Sequence, residues 1–164
     1  MKGELAAVLR WITELLRDLR IPYQAVGGLA AISYGSTRSL VDIDVYVPDD
    51  TSLERLAAAA QVHLIREPAH YHDEHWDLTF LKLEWAGWTI EAAAASTARV
   101  WDRMSGSWRP AAIRFNRSET RLIEGVQIQV MPRAQLVEYK EGLGRDVDHL
   151  DVAGLRATDE AREL

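Results

Sequence analysis

The sequence predicts an α/β (α+β) protein in which helices and strands alternate along one chain. Three features predict it. An amphipathic helical stretch opens the chain; a short strand, a Gly-Gly pair and a small-residue helix follow; and two strand-like runs later flank an Ala-Gly turn. At 164 residues the chain is read as a single domain, 1–164, long enough to bury a core without staples.

Each element has its local reason. Leu5, Val8, Leu9, Ile12, Leu15, Leu16 and Leu19 recur at three- and four-residue spacings, with Glu4, Arg10, Glu14, Arg17 and Asp18 between them, and Pro22 ends the helix. Tyr23 to Val26 is a short strand, and Leu29 to Tyr34 a helix broken by Gly35, Ser36 and Ser39. Val41 to Val47 reads as a strand whose odd-numbered residues face the core. Thr51 and Glu54 suit a capping box for a helix over Ser52 to Gln61. The polar run REPAHYHDEHWD (66–77) reads as a loop. Leu78 to Trp85 and Trp88 to Ala92 form a hairpin across Ala86-Gly87. A short helix over Ala98 to Met104, a joint at Ser105–Pro110 and strands over Ala111 to Phe115 and Val126 to Val130 come next. Helices near Ala134–Glu141 and Val147–Arg156 complete the pattern.

Composition removes several classes of function. With no cysteine there is no disulfide framework, no thiolate-held metal and no thiol nucleophile. No apolar run approaches the ~20 residues of a membrane span, and Glu4, Arg10 and Glu14 interrupt the opening as no secretory signal tolerates. A cytoplasmic protein with no membrane partner is expected. The net charge of −6 argues against a generic polyanion binder, although one Arg-lined cleft on an acidic protein still takes a small anion.

The residues that carry chemistry lie in VGGLAAISYGSTRSLVDIDVYVP (26–48). Asp42 and Asp44, two apart on a strand, share a face with Cα atoms about 6.5 Å apart. Two such carboxylates raise each other's pKa unless a cation neutralises them, and magnesium is held by one or two carboxylates completed by substrate phosphates. Glu91, on a later strand, is the candidate third acid. Gly27 and Gly28 leave bare backbone between strand and helix for a phosphate to approach. Arg38 is within reach as a phosphate partner. Blander readings stand beside these: a solvated strand face for the aspartates, a half-exposed polar position for Glu91, a cap or salt bridge for Arg38.

Val26-Gly27-Gly28, thirteen intervening residues and Asp42-Ile43-Asp44-Val45 together resemble the DNA polymerase β-like nucleotidyltransferase superfamily. Gly35, Arg38 and the tail MPRAQLVEYKEGLGRDVDHLDV (131–152), with Lys140, Gly144-Arg145, Asp148 and Asp151, are similar to its small bacterial branch of minimal and toxin–antitoxin nucleotidyltransferases. The resemblance covers roughly 20–95 and 126–155. It implies a nucleotidyltransferase fold: a small mixed β-sheet backed by helices, a catalytic core over about 20–95, and a C-terminal strand and helices over about 110–160. It further implies transfer of a nucleoside monophosphate from an NTP to an acceptor with release of pyrophosphate, dependent on Mg²⁺ or Mn²⁺. Asp42, Asp44 and Glu91 would be the catalytic and metal-binding residues, and Gly27, Gly28, Ser36, Arg38 and Lys140 the nucleotide-binding ones. Glu91 departs from the commoner Asp. The acceptor, a small molecule, an RNA end or a protein hydroxyl, is not fixed by these residues. A catalytically silent relative acting as an antitoxin or partner subunit is the alternative. Separately, an apolar surface from Trp85, Trp88 or Trp101 offers a homodimer reading.

Two other groupings invite a function. His70, His72, His75, Asp73, Glu74 and Asp77 offer a zinc-hydrolase reading, weakened by the lack of a scaffold to fix the ligands. Arg109, Arg114, Arg117 and Arg121 recur every three to five residues, either to meet a phosphate-bearing acceptor or as a solvated face.

Overall fold

A computed structural model describes residues 2–163, the side chains of 159–163 excepted. Its helices are α1 (Leu5–Asp18), α2 (Gly27–Ser33), α3 (Asp50–Ala59), α4 (Arg133–Leu143) and α5 (Asp146–Glu163). Its strands are β1 (Gln24–Val26), β2 (Ile43–Val47), β3 (Leu64–His72), β4 (Trp76–Trp85), β5 (Trp88–Ala94), β6 (Arg99–Asp102), β7 (Ser107–Pro110), β8 (Glu119–Ile123) and β9 (Val126–Val130). They form one mixed sheet in the order β7-β6-β4-β5-β2-β1-β9-β8. Asp77 pairs with both His72 and Arg99, so β3 lies on the opposite edge of β4 from β6. The β2–β5 and β1–β9 pairs are parallel, and the other pairs are antiparallel.

The sheet has two differently used faces. Ile43, Val45 and Val47 are buried on one side of β2, as their alternation predicts. On that side Trp85 stacks on Trp11 of α1, ring centroids 5.6 Å apart, so α1 covers this face. Val8, Leu9, Ile12 and Leu16 supply the buried stripe of α1, each contributing roughly 1.5–3 kcal/mol of hydrophobic stabilisation. Asp44 and Tyr46 point the other way. There α4 closes over the sheet, with the hydroxyls of Tyr139 and Tyr46 2.9 Å apart, and α5 packs against α4 and α2. Among the described residues, no helix is long and apolar enough to cross a membrane.

Several sequence expectations change. Val41 is 62 % exposed and lies before β2 rather than in its core-facing row. The cap of α3 is Asp49, whose side chain accepts from the Ser52 backbone N–H and hydroxyl, in place of the Thr51–Glu54 box. The 66–77 run is not a loop: most of it forms β3 and the start of β4. Residues 99–102 are the strand β6 in place of the expected helix, and the strand expected over 111–115 is absent. The joint at 105–110 is the turn and second strand of a β6–β7 hairpin, with Trp101 opposite Trp108. β8 has no counterpart among the sequence expectations.

Candidate active site

One transverse row of the sheet builds the centre of the site. Val26 of β1 is opposite Asp44 of β2, Asp44 opposite Glu91 of β5, and Glu91 opposite Lys82 of β4. Residues in register across neighbouring strands project to the same face, so Asp44, Glu91 and Lys82 stand side by side. Asp42 lies immediately before β2 and lines the same cavity. This cavity, about 380 Å³, also carries Gly27, Tyr71, Trp76, Leu78 and Phe80 on the sheet side and Tyr139, Lys140 and Arg145 on the helix side.

Asp44 is electrostatically crowded. Burial of its carboxyl, the charge of Glu91, a hydrogen bond to Glu91 and the charge of Asp42 push its pKa up to about 7, while Arg145 pulls it down. At such a pKa the carboxyl is about half protonated near neutrality. The other side of Glu91 faces Lys82, with Nζ 3.1 Å from Oε1. Gly27 backs Asp44 closely: its φ is +61°, and a Cβ there would come 2.9 Å from Asp44 Oδ2. Only glycine combines that conformation with that approach at little cost.

The cationic candidates meet on α5. Asp151 is fully buried and receives Arg38 Nε at 2.6 Å, Lys140 Nζ at 2.8 Å and the Ser36 hydroxyl at 3.4 Å. Its burial is more than offset by the hydrogen bonds and charges of Arg38 and Lys140, so its pKa stays below the usual carboxylate value. Asp148, also fully buried, lies 3.5 Å from Lys140 Nζ and takes two hydrogen bonds from the Arg145 guanidinium, at 2.6 and 3.0 Å. That guanidinium sits 4.7 Å over the Trp76 ring. Ser36, Arg38 and Lys140 are thus joined through Asp151, and Arg38, Lys140 and Arg145 are three cations facing the two carboxylates of Asp148 and Asp151. Gly28 leaves room for this: a Cβ on it would come 2.5 Å from Arg38 Nη2. The sequence offered Asp148 and Asp151 only as part of the similar tail, with no role.

The histidine-rich run has a structural explanation. His70 Nε2 lies 2.5 Å from Asp77 Oδ1, Arg99 bonds the other oxygen of Asp77, and the His72 ring lies tilted against Trp108, centroids 5.2 Å apart. Hydrogen bonds with His70 and Arg99 hold the Asp77 carboxyl below its usual pKa, so its charge is already paired. No three His, Cys, Asp or Glu side chains among the described residues are arranged to hold a metal ion, which corrects the zinc reading of 70–77. The Arg109–Arg121 series also disperses. Arg109 pairs with Asp102, whereas Arg121 donates to the Ser33 carbonyl.

The same result bears on Asp42, Asp44 and Glu91, which do not form a ready three-carboxylate cage. Magnesium does not require one, since it is usually held by one or two carboxylates with waters and substrate phosphates. Asp42 and Asp44 fit that need: burial and the nearby Glu91 and Asp42 carboxyls leave Asp44 without enough positive charge around it, which a divalent cation would supply.

No family model matches this sequence, and no curated protein matches it. Solved structures do. A candidate nucleotidyltransferase from Thermotoga maritima, TM1012, superposes with a TM-score of 0.63 at 16% identity over 99% of this chain and 94% of that one. The lincosamide antibiotic adenylyltransferase LnuA, solved with lincomycin bound, gives 0.60 at 14% identity over 92% and 95%. ANT(2″)-Ia, solved in complex with adenylyl-2″-tobramycin, gives 0.54 at 14% identity over 96% and 98%. With its mixed sheet and covering helices, the chain has the nucleotidyltransferase fold.

Proposed function

We propose that this protein transfers a nucleoside monophosphate from an NTP to an acceptor hydroxyl, releasing pyrophosphate. The observation that carries the reading is the convergence of Asp42, Asp44 and Glu91 on one cavity beside Gly27. Asp42 and Asp44 would hold a divalent cation, which when bound neutralises the triphosphate and polarises the reacting phosphorus. The bare backbone of Gly27, which lines the cavity, admits the triphosphate. Of the two roles open to Glu91, metal ligand or general base, its ion pair with Lys82 argues against the first, because the ammonium already occupies a carboxylate oxygen that a second cation would need; we assign it the base that takes the acceptor's proton. Lys140 and Arg145, held by Asp148 and Asp151, set positive charge on the opposite wall, and phosphoryl transfer requires little beyond such positioning and charge.

The aromatic and apolar floor of Tyr71, Trp76, Leu78 and Phe80 suits a small ring-bearing acceptor better than an extended polymer. Lincomycin, bound in one neighbour's structure, and tobramycin, whose adenylylated form is bound in another's, are the first compounds to test. A second reading, a catalytically silent partner protein such as an antitoxin, rests on the same Lys82–Glu91 ion pair, which would then neutralise the third acid. Transfer of label from α-³²P-NTP to a panel of small hydroxyl compounds separates the two. Labelled product that disappears in Glu91→Gln supports the enzyme. Folded, NTP-binding protein that transfers no label, even to water, supports the silent partner.

A further inference from the structure

The Lys82–Glu91 pair is unusual in its placement rather than its existence. A lysine opposite a glutamate on an antiparallel pair is ordinary surface chemistry, worth a fraction of a kcal/mol. Here the pair is on the cavity face of the sheet, in the same transverse row as Asp44, and both residues line the cavity. The 3.1 Å contact puts a fixed ammonium on the third acid, and the Lys82 ammonium lies 5.9 Å from the Phe80 ring centroid, flanked by that aromatic. A catalytic site with two divalent ions needs a third carboxylate free to bridge toward the second ion, about 3.5–4 Å from the first. No such three-carboxylate arrangement exists among the described residues.

We propose that Lys82 is the site's built-in cation: paired with Glu91, its ammonium takes the place of a second divalent ion, and the site binds one divalent cation, on Asp42 and Asp44. The proposal rests on the metal-dependent reading above. It assigns Lys82 a positioning role, keeping Glu91 free of metal and turned toward the acceptor side of the cavity. A lysine also carries its single positive charge at any magnesium concentration, so this half of the site does not depend on free metal. Two ions would add four positive charges beside the substrate; one ion and Lys82 add three. With Asp42, Asp44 and Glu91 ionised, the smaller sum leaves these groups neutral before the triphosphate enters.

Manganese provides the test, because two Mn²⁺ ions at bridging distance give an exchange-coupled electron paramagnetic resonance spectrum that one ion cannot. The wild-type chain is titrated with Mn²⁺ in the presence of a non-hydrolysable α,β-methylene ATP, alongside Lys82→Met, Lys82→Arg, Lys82→Met/Glu91→Gln and Asp42→Asn/Asp44→Asn, each checked by thermal unfolding. The expected result is an uncoupled spectrum for wild type and Lys82→Arg, a coupled spectrum for Lys82→Met, and loss of the coupling when Glu91→Gln is added. A coupled spectrum in wild type overturns the proposal and leaves the metal-dependent reading intact. An uncoupled spectrum in folded Lys82→Met also overturns it. Wild-type spectra identical to those of Asp42→Asn/Asp44→Asn, with no protein-bound manganese, overturn both.

Discussion

Asp44 and Glu91 stand directly opposite each other in the parallel β2–β5 pair and share a hydrogen bond in the cavity floor. The consequences of placing two carboxyls in register reach stability, metal binding and chemistry together.

The first concerns pH. Burial and the charges of Glu91 and Asp42 push the Asp44 carboxyl of the folded chain up to about 7, from an ordinary value of 3.8. A raised folded value means that the stability it contributes is fully present below 3.8 and is lost as the pH rises through 7. Without divalent metal, Asp44→Asn removes the ionisation, so it is expected to stabilise the protein at pH 8 by about 1–3 kcal/mol and to be nearly neutral at pH 4. Thermal unfolding in chelator at the two pH values checks this. Equal destabilisation at both would contradict it.

Gly27 has no tolerance for a side chain. Gly27→Ala must place alanine at φ +61° with its Cβ 2.9 Å from Asp44 Oδ2. The expected cost is about 1–3 kcal/mol in urea unfolding, together with at least a tenfold loss of NTP affinity as Asp44 is displaced. Unchanged affinity would show that the Asp44 position is not needed.

Lys140 is the shared partner of two buried acids. Lys140→Met leaves Asp148 with Arg145 and Asp151 with Arg38, so a loss of about 2–4 kcal/mol is expected, somewhat below that of an isolated buried pair. Asp151 has a depressed folded pKa, so the stability it contributes is present above 3.8 and lost as the pH falls through the folded value. The deficit of the variant should therefore shrink in acid below pH 4. Urea unfolding at pH 7 and pH 3.5 measures it, and a deficit that grows in acid would contradict the network.

Much of this arrangement is legible in the sequence because it is local. The two-residue Ala86-Gly87 turn pairs Trp85 with Trp88, and counting back along the hairpin puts Lys82 opposite Glu91. The turn alone fixes that register, yet a lone lysine on a strand carries no motif, so nothing in the sequence singles out Lys82. β3 escapes a sequence reading for a different reason. Most of its residues beyond Ile65 are exposed, so the apolar alternation that marks a strand is weak. β6 and β7 are four residues each and hold their place through pairing and the Trp101–Trp108 contact, whose rings lie 5.6 Å apart. The destination of Arg38 is not legible at all. Asp151 is more than a hundred residues away and meets it only when α5 packs against α2 and α4.

The central claim, a metal-dependent nucleotide site at Asp42 and Asp44, is tested most directly by calorimetric titration of each NTP with Mg²⁺ into wild type and Asp42→Ala/Asp44→Ala. Saturable binding by wild type that needs Mg²⁺ and is lost in the folded double variant is the predicted result. No binding by folded wild type, or equal binding by both proteins, would contradict it.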